Sequence, residues 1–413
     1  MPDTDTMAGF GREALKSLVR REEDPFVEDL RRGAFGEFEA LPVPSPETEE
    51  WRYTDLRRFD LSSFVAVDGD TVSRELDPEA RAEIDRQGVV FEGIDEALRT
   101  HPELIRPHLH RNVPTARSRF TALHGAFRTG GTFVHVPDGV RVEVPLQAIT
   151  SVERDGTAVF PHTIIVTGRD AELTFVERYR SPALEGVLSD AIVEIDAGRG
   201  SRVRYVAVQE WGAGVTHLAV QRATLAQDAE LRSLGVAFGA SLSRSEVESV
   251  LQGDGSSSEM LGVYFANGDQ HFDHRSIQDH IGSLTSSDLL YKGALRDRSR
   301  TIYSGTVIIR QGAHKCNAYQ TNRNVLLSEE ARADSIPNLE ILSNDPVRCG
   351  HAASVGPVDD DALFYIQSRG IPDAEAERLV VMGFFQEVLD RVSIPEVRGE
   401  LERAIARELE RGS

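Results

Sequence analysis

The sequence reads GRDAEL at residues 168–173, and stretches of similar composition return after it: GRGSRV at 198–203, AQDAEL at 226–231 and QGDGS at 252–256. Their spacing of roughly 25 to 30 residues is typical of solenoid proteins. Short alternating strands of β-branched and aliphatic residues lie between these Gly- and Asp-containing corners. A meander of hairpins would also give short strands, but evenly spaced corners favour a parallel β-helix, in which each coil buries its apolar face on the next. We therefore predict a mainly β fold with a parallel β-helix core.

Helical patterns flank this core. Residues 8–32 read as an amphipathic helix, and helical spacing continues in residues 78–87 and 95–109. At the other end, apolar residues recur at helical spacing on both sides of Pro395, which predicts a pair of amphipathic helices. The predicted division is an N-terminal helical region over residues 1–115, the β-helix core over 116–357 and a C-terminal helical region over 358–413.

The segment in which strands give way to helices carries two soft metal donors. Cys349 and His351 are two residues apart, so on an extended backbone their side chains point the same way. A thiolate and an imidazole would then face one target. Asp359, Asp360 and Asp361 can cap a helix and favour its first turn, so we expect the C-terminal helices to begin there.

Composition excludes several classes of function. The chain has 413 residues and a formal net charge of −21, with a pI near 5.0. Such a surface repels nucleic-acid phosphates and anionic membranes, so neither is an expected partner. No apolar run approaches the roughly 20 residues of a membrane span, and the acidic N-terminus is unlike a secretory signal. We expect a cytoplasmic protein, and the low count of two cysteines, Cys316 and Cys349, suits a reducing compartment.

Two further groups of residues look like metal sites by residue type. On a strand, His271 and Asp273 share one face while His274 points to the other, so a structural, hydrogen-bonding role is expected for them. His314 and Cys316 would share a face if extended, but Cys316 is expected to fill an inner rung. The sequence has no phosphate-binding Walker loop and no nucleophile elbow, so any ATP hydrolysis must occur in a partner.

Blocks spread over nearly the whole chain resemble, in the same order, those of the SufB/SufD family, the scaffold proteins of iron-sulfur cluster assembly. The C-terminal block runs from Pro337-Asn-Leu-Glu-Ile341 through Cys349-Gly-His351 to Leu363-Phe-Tyr365 and Arg369-Gly370. The others are Glu49-x-Trp51-Arg-Tyr-Thr-Asp55, Phe133-x-His-Val-Pro137, His271-x-Asp273, Tyr291-Lys-Gly293 and Tyr319-Gln-x-Asn-x-Asn324.

The resemblance implies a right-handed parallel β-helix between helical ends and a non-catalytic scaffold role. The chain is short for a SufB, and Ile366 stands where SufB proteins resemble one another in having a cysteine, so the SufD branch is favoured. The family implies pairing with a SufB-like paralogue through the β-helix core and binding of a SufC-like ATPase by the C-terminal helices. The expected docking residues on those helices are Leu379, Met382, Phe385 and Leu389.

The expected cargo is a nascent iron-sulfur cluster, held transiently at the interface with SufB. Such clusters are usually bound by four thiolates, some replaced by histidine, and this chain has only two cysteines. A second polypeptide must therefore complete the ligand set, with His351 and Cys349 as this chain's candidate ligands. Two alternatives stay open: a SufB-like scaffold that binds a cluster by itself, and a β-helix polysaccharide-active enzyme with converging carboxylates.

Overall fold

The computed structural model describes residues 9–18, 24–56, 59–67 and 71–410. Strands account for 41% and helices for 26% of the structure, and the strands form a parallel β-solenoid of about eight turns. The predicted mainly β fold, with a parallel β-helix core and helical flanks, is confirmed.

The elements of the described residues have the following bounds. The α-helices are α1 Arg12–Leu18, α2 Pro25–Ala40, α3 Pro78–Arg86, α4 Ile94–Thr100, α5 Pro102–Ile105, α6 Arg119–Phe127, α7 Asp360–Gln367, α8 Asp373–Leu389 and α9 Pro395–Glu410. The strands are β1 Val65–Ala66, β2 Val72–Glu75, β3 Val90–Gly93, β4 Thr132–Val136, β5 Leu146–Ser151, β6 Thr157–Val159, β7 His162–Thr167, β8 Glu172–Arg180, β9 Val187–Ala197, β10 Arg202–Glu210, β11 Val215–Leu225, β12 Glu230–Ala237, β13 Leu242–Leu251, β14 Ser257–Ala266, β15 His271–His280, β16 Ser286–Leu295, β17 Arg300–Ile309, β18 Asn317–Leu326, β19 Arg332–Ile341 and β20 Arg348–Pro357. Short 3-10 turns occur at Glu49–Trp51, Leu61–Ser63 and Thr115–Arg117.

Two sheets form the walls of the solenoid. From β7 onward, successive strands alternate between the sheets, so each turn adds one strand to each. The first sheet has the order β3-β4-β7-β9-β11-β13-β15-β17-β19, and the second has the order β2-β5-β8-β10-β12-β14-β16-β18-β20. Neighbouring strands are parallel except for the antiparallel pairs β2 with β5 and β3 with β4 at the N-terminal end.

The corners of the solenoid explain the Gly and Asp pattern of the sequence. Asp170, Gly200, Asp228 and Gly255 have φ values of +55°, +67°, +57° and +73°. This left-handed region is open to glycine and tolerated by aspartate. The backbone N–H of Asp170 donates to the carbonyl of Arg199 on the next turn at 2.8 Å, and the other three corners make the same kind of bond. The repeat therefore marks the residues at which the chain turns and the turns stack.

The N-terminal elements cover one end of the solenoid. Helices α2 and α6 pack together, and Phe35, Phe127 and Phe160 belong to the apolar cluster that joins them to the first turns. The helix predicted over residues 8–32 corresponds to α1 and the start of α2, with residues 19–23 outside the described ranges. Strands β1 to β3 also lie in this region, which the sequence had indicated as helical. The three region boundaries stay a prediction.

The C-terminal helices α8 and α9 lie along the face of the second sheet rather than over its end. Their buried residues, among them Val381 and Leu401, share an apolar cluster with side chains of β8, β10, β12, β14, β16 and β18. Lys292 Nζ donates to the carbonyl of Phe384 at 2.8 Å and so fixes α8 to β16. None of the helices in the described ranges is both long and apolar enough to cross a membrane.

Candidate functional site

The last turn of the solenoid, made by β19 and β20, is open at its outer edge. Within the described ranges, β19 pairs only with β17 and β20 only with β18. No residue of either strand is fully buried, whereas many residues of the preceding strand β18 are buried. A free strand edge carries unpaired backbone N–H and C=O groups and can pair with another chain.

Cys349 and His351 lie side by side in the inward-facing row of this turn. In the register of β18 and β20, Cys349 is the neighbour of Ala318 and His351 is the neighbour of Gln320. Ala318 and Gln320 are fully buried inside the solenoid. On the last turn the equivalent positions are not covered by a following turn, so Cys349 is half-buried and His351 is exposed. The structure thus brings the two predicted donors to one face at an open end.

The environment of Cys349 controls its reactivity. Its side chain packs against an apolar group that includes Val307, Ala318 and Cys316. Burial raises the pKa of the Cys349 thiol, and the nearby Cys316 raises it further. A raised pKa favours the protonated thiol. A bound metal ion would favour the thiolate instead, because a coordinated thiol is deprotonated. Together with the imidazole of His351, the thiolate would be a soft ligand pair of the kind that iron-sulfur clusters accept.

His314 and Cys316 do not form a second ligand pair. Lys315, which lies between them, has a φ of +54°, so the backbone is not extended there. Cys316 is fully buried and contacts the hydroxyl of Thr285 at 3.2 Å. His314 is exposed and lies 2.8 Å from the carboxylate of Asp345. The expectation that Cys316 fills an inner rung is confirmed.

Apolar side chains are exposed on and next to the last turn. The exposed fractions are 43% for Ile341, 51% for Leu342, 72% for Val347 and 41% for Val355. Apolar groups concentrated beside a free strand edge are typical of a surface that another protein covers.

The four tail residues predicted to bind a partner lie in different environments. Phe385 and Leu389 are fully buried against the second sheet. Met382 is half-buried, and Leu379 is 40% exposed. Phe385 and Leu389 therefore belong to the chain's own core. The exposed side of α8, at Leu379, is the part of this set that can contact another molecule.

Exposed apolar surface continues on α7. Asp359 caps this helix by accepting the backbone N–H of Asp361 at 3.0 Å, as the acidic run predicts. Phe364 is 72% exposed and Tyr365 is 60% exposed, and no residue of the helix is buried. A short amphipathic helix with exposed aromatic side chains is a common anchor for a partner.

The residues around His271 have the structural role expected for them. His271 and Asp273 project from the same face of β15, and the hydroxyl of Thr54 lies 3.3 Å from His271 Nε2 and donates to Asp273 at 2.6 Å. His274 points to the other face, where its ring lies 4.5 Å from that of Tyr264. The blocks at residues 49–55 and 271–273 are thus joined by hydrogen bonds.

A cleft of about 350 Å³ on the first sheet is lined by the carboxylates of Glu246 and Glu248, and also by Glu49 and Glu50. Arg117 pairs with both Glu246 and Glu248. Burial alone would raise the pKa of Glu246, but Arg244 and Arg117 outweigh it and hold that pKa below its usual value. Glycoside hydrolysis needs one carboxylic acid that stays protonated, so Glu246 is not suited to be that proton donor.

One cluster of possible ligands escaped the sequence analysis. His110, His124 and His162 come from a turn, from α6 and from β7, and their ring nitrogens lie within 4.8 Å of one another. These residues are far apart in the sequence and match no ligand spacing. Only the folded chain brings them together.

Comparison with protein families gives two matching models, which together cover residues 58–384. A family model described as "SUF system FeS cluster assembly, SufBD core domain" matches residues 149–384. A second model, described as "SufBD protein N-terminal region", matches residues 58–148.

Individual relatives extend these matches to the whole chain. The iron-sulfur cluster assembly protein SufD of Bacillus subtilis is 31% identical over 98% of this chain and 99% of its own length. An iron-sulfur cluster assembly SufBD family protein of Mycobacterium tuberculosis is 34% identical over 90% of this chain and 91% of its own. SufB of B. subtilis is 30% identical over 80% of this chain but 71% of its own length. The chain therefore belongs to the SufB/SufD family of iron-sulfur cluster assembly proteins, with SufD as the more similar type.

Proposed function

We propose that this chain is the SufD-like scaffold subunit of an iron-sulfur cluster assembly complex. In this proposal it pairs with a SufB-like paralogue through the open end of its solenoid and binds a SufC-like ATPase through its C-terminal helices. It is a non-catalytic subunit of a cytoplasmic complex, and its two free cysteines suit that reducing compartment. His351, together with Cys349, contributes ligands to a nascent cluster at the seam between the subunits.

The observation that carries the proposal is the uncovered inner row of the last turn. Cys349 and His351 occupy positions that are buried one turn earlier, next to a strand edge with free hydrogen-bonding groups. A second solenoid that pairs with β20 would cover both donors and add its own ligands beside them. Two cysteines, one of them buried deep in the core, are too few to hold a cluster alone.

Replacing His351 with alanine is expected to leave the complex assembled and to reduce cluster formation on it. We expect the cluster yield to fall by about tenfold or more, because loss of even an outer-shell partner of a metal ligand typically costs about 10–100-fold in metal affinity. The measurement is anaerobic reconstitution of the complex co-purified with SufB and SufC, followed by absorption spectroscopy and iron and sulfide analysis.

His314→Ala is the matched control, since His314 is an exposed histidine in the corner between β17 and β18. It should keep the full yield. A normal yield from the His351→Ala complex would contradict the ligand role. A stable, stoichiometric cluster on the isolated wild-type chain would contradict the shared site and favour a SufB-like scaffold.

Replacing Phe364 with aspartate is expected to weaken binding of the SufC-like ATPase while pairing with SufB persists. Phe364 is the most exposed aromatic side chain on the short helix α7, which contacts α8. Loss of an aromatic anchor typically costs about 2 kcal/mol or more, which is a weakening of roughly 30-fold. The affinity would be measured by titration calorimetry with purified SufC.

Val65→Asp is the control for this experiment, because Val65 is 63% exposed in β1, among the N-terminal elements. It should bind SufC as the wild-type chain does. Equal binding by the Phe364→Asp chain would rule out α7 as part of the docking surface.

A further inference from the structure

Three histidines meet at the junction between the N-terminal elements and the solenoid. His110 lies in the turn after α5, His124 in α6, and His162 opens β7. Their exposed fractions are 8%, 0% and 0%. One ring nitrogen of each lies within 4.8 Å of the other two.

The outer ring nitrogen of each histidine faces a group that only accepts hydrogen bonds. His110 Nδ1 lies 3.2 Å from the carbonyl of Val113, and His124 Nδ1 lies 2.9 Å from the carbonyl of Asp190. His162 Nε2 lies 2.9 Å from the carboxylate of Glu194. A neutral imidazole has one N–H, and here it must point outward to these acceptors.

The carboxylate of Glu194 is itself held in place by backbone groups. It accepts the N–H of His110 at 2.7 Å, that of Asn112 at 2.6 Å and that of Val113 at 2.9 Å. Burial raises the pKa of Glu194 to about 6. His110 and these N–H groups oppose this increase in pKa. Both carboxylate oxygens accept backbone N–H groups, so the carboxylate also acts as the acceptor for the His162 ring.

The inner ring nitrogens must consequently carry lone pairs. These atoms are Nε2 of His110, Nε2 of His124 and Nδ1 of His162, and none of them has a hydrogen-bond partner among the described groups. Three buried lone pairs that face one another without a donor are unfavourable. One proton can join at most two of these three nitrogens, whereas a metal ion at the centre would contact all three.

The ring positions suit a metal ion in the centre. The centroids lie 5.7 Å apart for His110 and His124, 4.8 Å for His110 and His162, and 5.0 Å for His124 and His162. Nitrogen ligands at about 2.0–2.1 Å around a tetrahedral ion place the ring centroids about 5 Å apart. Metal-bound histidines also characteristically donate their other N–H to a carbonyl or carboxylate, as these three do.

We propose that His110, His124 and His162 form a buried three-histidine site for a divalent transition-metal ion of the zinc class, which joins the N-terminal elements to the first turns of the solenoid. Iron(II) and cobalt(II) share the same imidazole chemistry, so they are the competing ions. The site is distinct from the donors at the open end of the solenoid, and it does not depend on the function proposed for them.

The test uses the untagged full-length chain carrying Cys349→Ser and His351→Ala, so that metal at the open end cannot be mistaken for metal at this site. After treatment with a chelator, the chain is titrated with cobalt(II) and, separately, with zinc(II). We expect about one metal equivalent per chain by elemental analysis, visible bands of tetrahedral cobalt(II), and a thermal midpoint several degrees higher with zinc(II).

His124→Gln and His162→Gln should abolish the cobalt(II) bands and the gain in thermal midpoint. His217→Gln is the matched control, since His217 is also buried and hydrogen-bonded inside the solenoid but lies outside the cluster. It should keep both. Absence of bound metal from the chain that carries only Cys349→Ser and His351→Ala would by itself overturn the proposal. Retention of metal by the cluster variants, or equal loss in the control, would also overturn it.

Discussion

Replacing Glu194 with alanine is expected to lower the free energy of unfolding by about 4 kcal/mol or more. Its buried carboxylate accepts the backbone N–H groups of His110, Asn112 and Val113 and the ring N–H of His162. Alanine would leave these donors buried without an acceptor, and each such group costs about 1–3 kcal/mol. The three backbone hydrogen bonds connect the turn after α5 to β9. Their loss should loosen the junction between the N-terminal region and the solenoid.

Urea-induced unfolding followed by circular dichroism would measure this effect on chelator-treated protein, so that the hydrogen bonds alone are tested. Glu230→Ala is the control, because the Glu230 carboxylate lies at the surface and pairs with the exposed Arg232. Surface ion pairs contribute about 0–1 kcal/mol. Similar small losses in the two variants would show that the buried carboxylate does not stabilise the junction.

The solenoid could be predicted because its corners depend on local backbone chemistry. Asp170 and Gly200 occupy left-handed positions that few other residues tolerate, so their recurrence is visible in the sequence. The direction of Cys349 and His351 could be predicted for the same reason, since the alternation of side chains on a strand depends only on spacing.

Which side chains are buried at the ends of the fold depends on which surfaces pack together. The spacing of apolar residues in the sequence does not reveal this packing. Phe385, Leu389 and Leu379 follow one helical stripe, yet the second sheet covers the first two and leaves Leu379 exposed. The edge of β20 likewise stays open because α8 and α9 pack along the face of the second sheet rather than over its end.

The histidine cluster could not be predicted from spacing. His110, His124 and His162 lie on three separate elements, and their ring orientations depend on acceptors such as the carbonyl of Asp190 in β9. A motif search finds ligands that share a helix face or a loop. Ligands gathered by the tertiary fold leave no such pattern.

Acidification from pH 7 to pH 4.5 is expected to destabilise the folded chain strongly, because His217, His274 and His280 are buried as neutral imidazoles. Burial lowers the pKa of His217 to about 3 and the pKa values of His274 and His280 to about 4. The side chain of His217 also accepts the indole N–H of Trp211 on Nδ1 at 3.1 Å, a bond that protonation there would break.

The direction of the effect follows from proton binding. Histidine in the unfolded chain titrates near pH 6.5, so between about pH 6.5 and 4 the unfolded state binds more protons than the folded state. Stability that is fully present above pH 6.5 is therefore lost as the pH falls toward the folded pKa values. Each of the three histidines contributes up to about 1.4 kcal/mol per pH unit in the lower part of this window.

Two effects act in the opposite direction. Burial raises the pKa values of the carboxyl groups of Glu177, Asp190, Glu194 and Glu259, so their protonation favours the folded state. A lower pH also reduces the repulsion within a chain of net charge −21. We expect the three histidines to outweigh them above pH 4.5. Urea unfolding at pH 7, 6, 5 and 4.5 would measure the slope, and His217→Gln should flatten it by about one proton. Stability that stays level or rises from pH 7 to pH 4.5 would contradict the prediction, as would an unchanged slope in the His217→Gln chain.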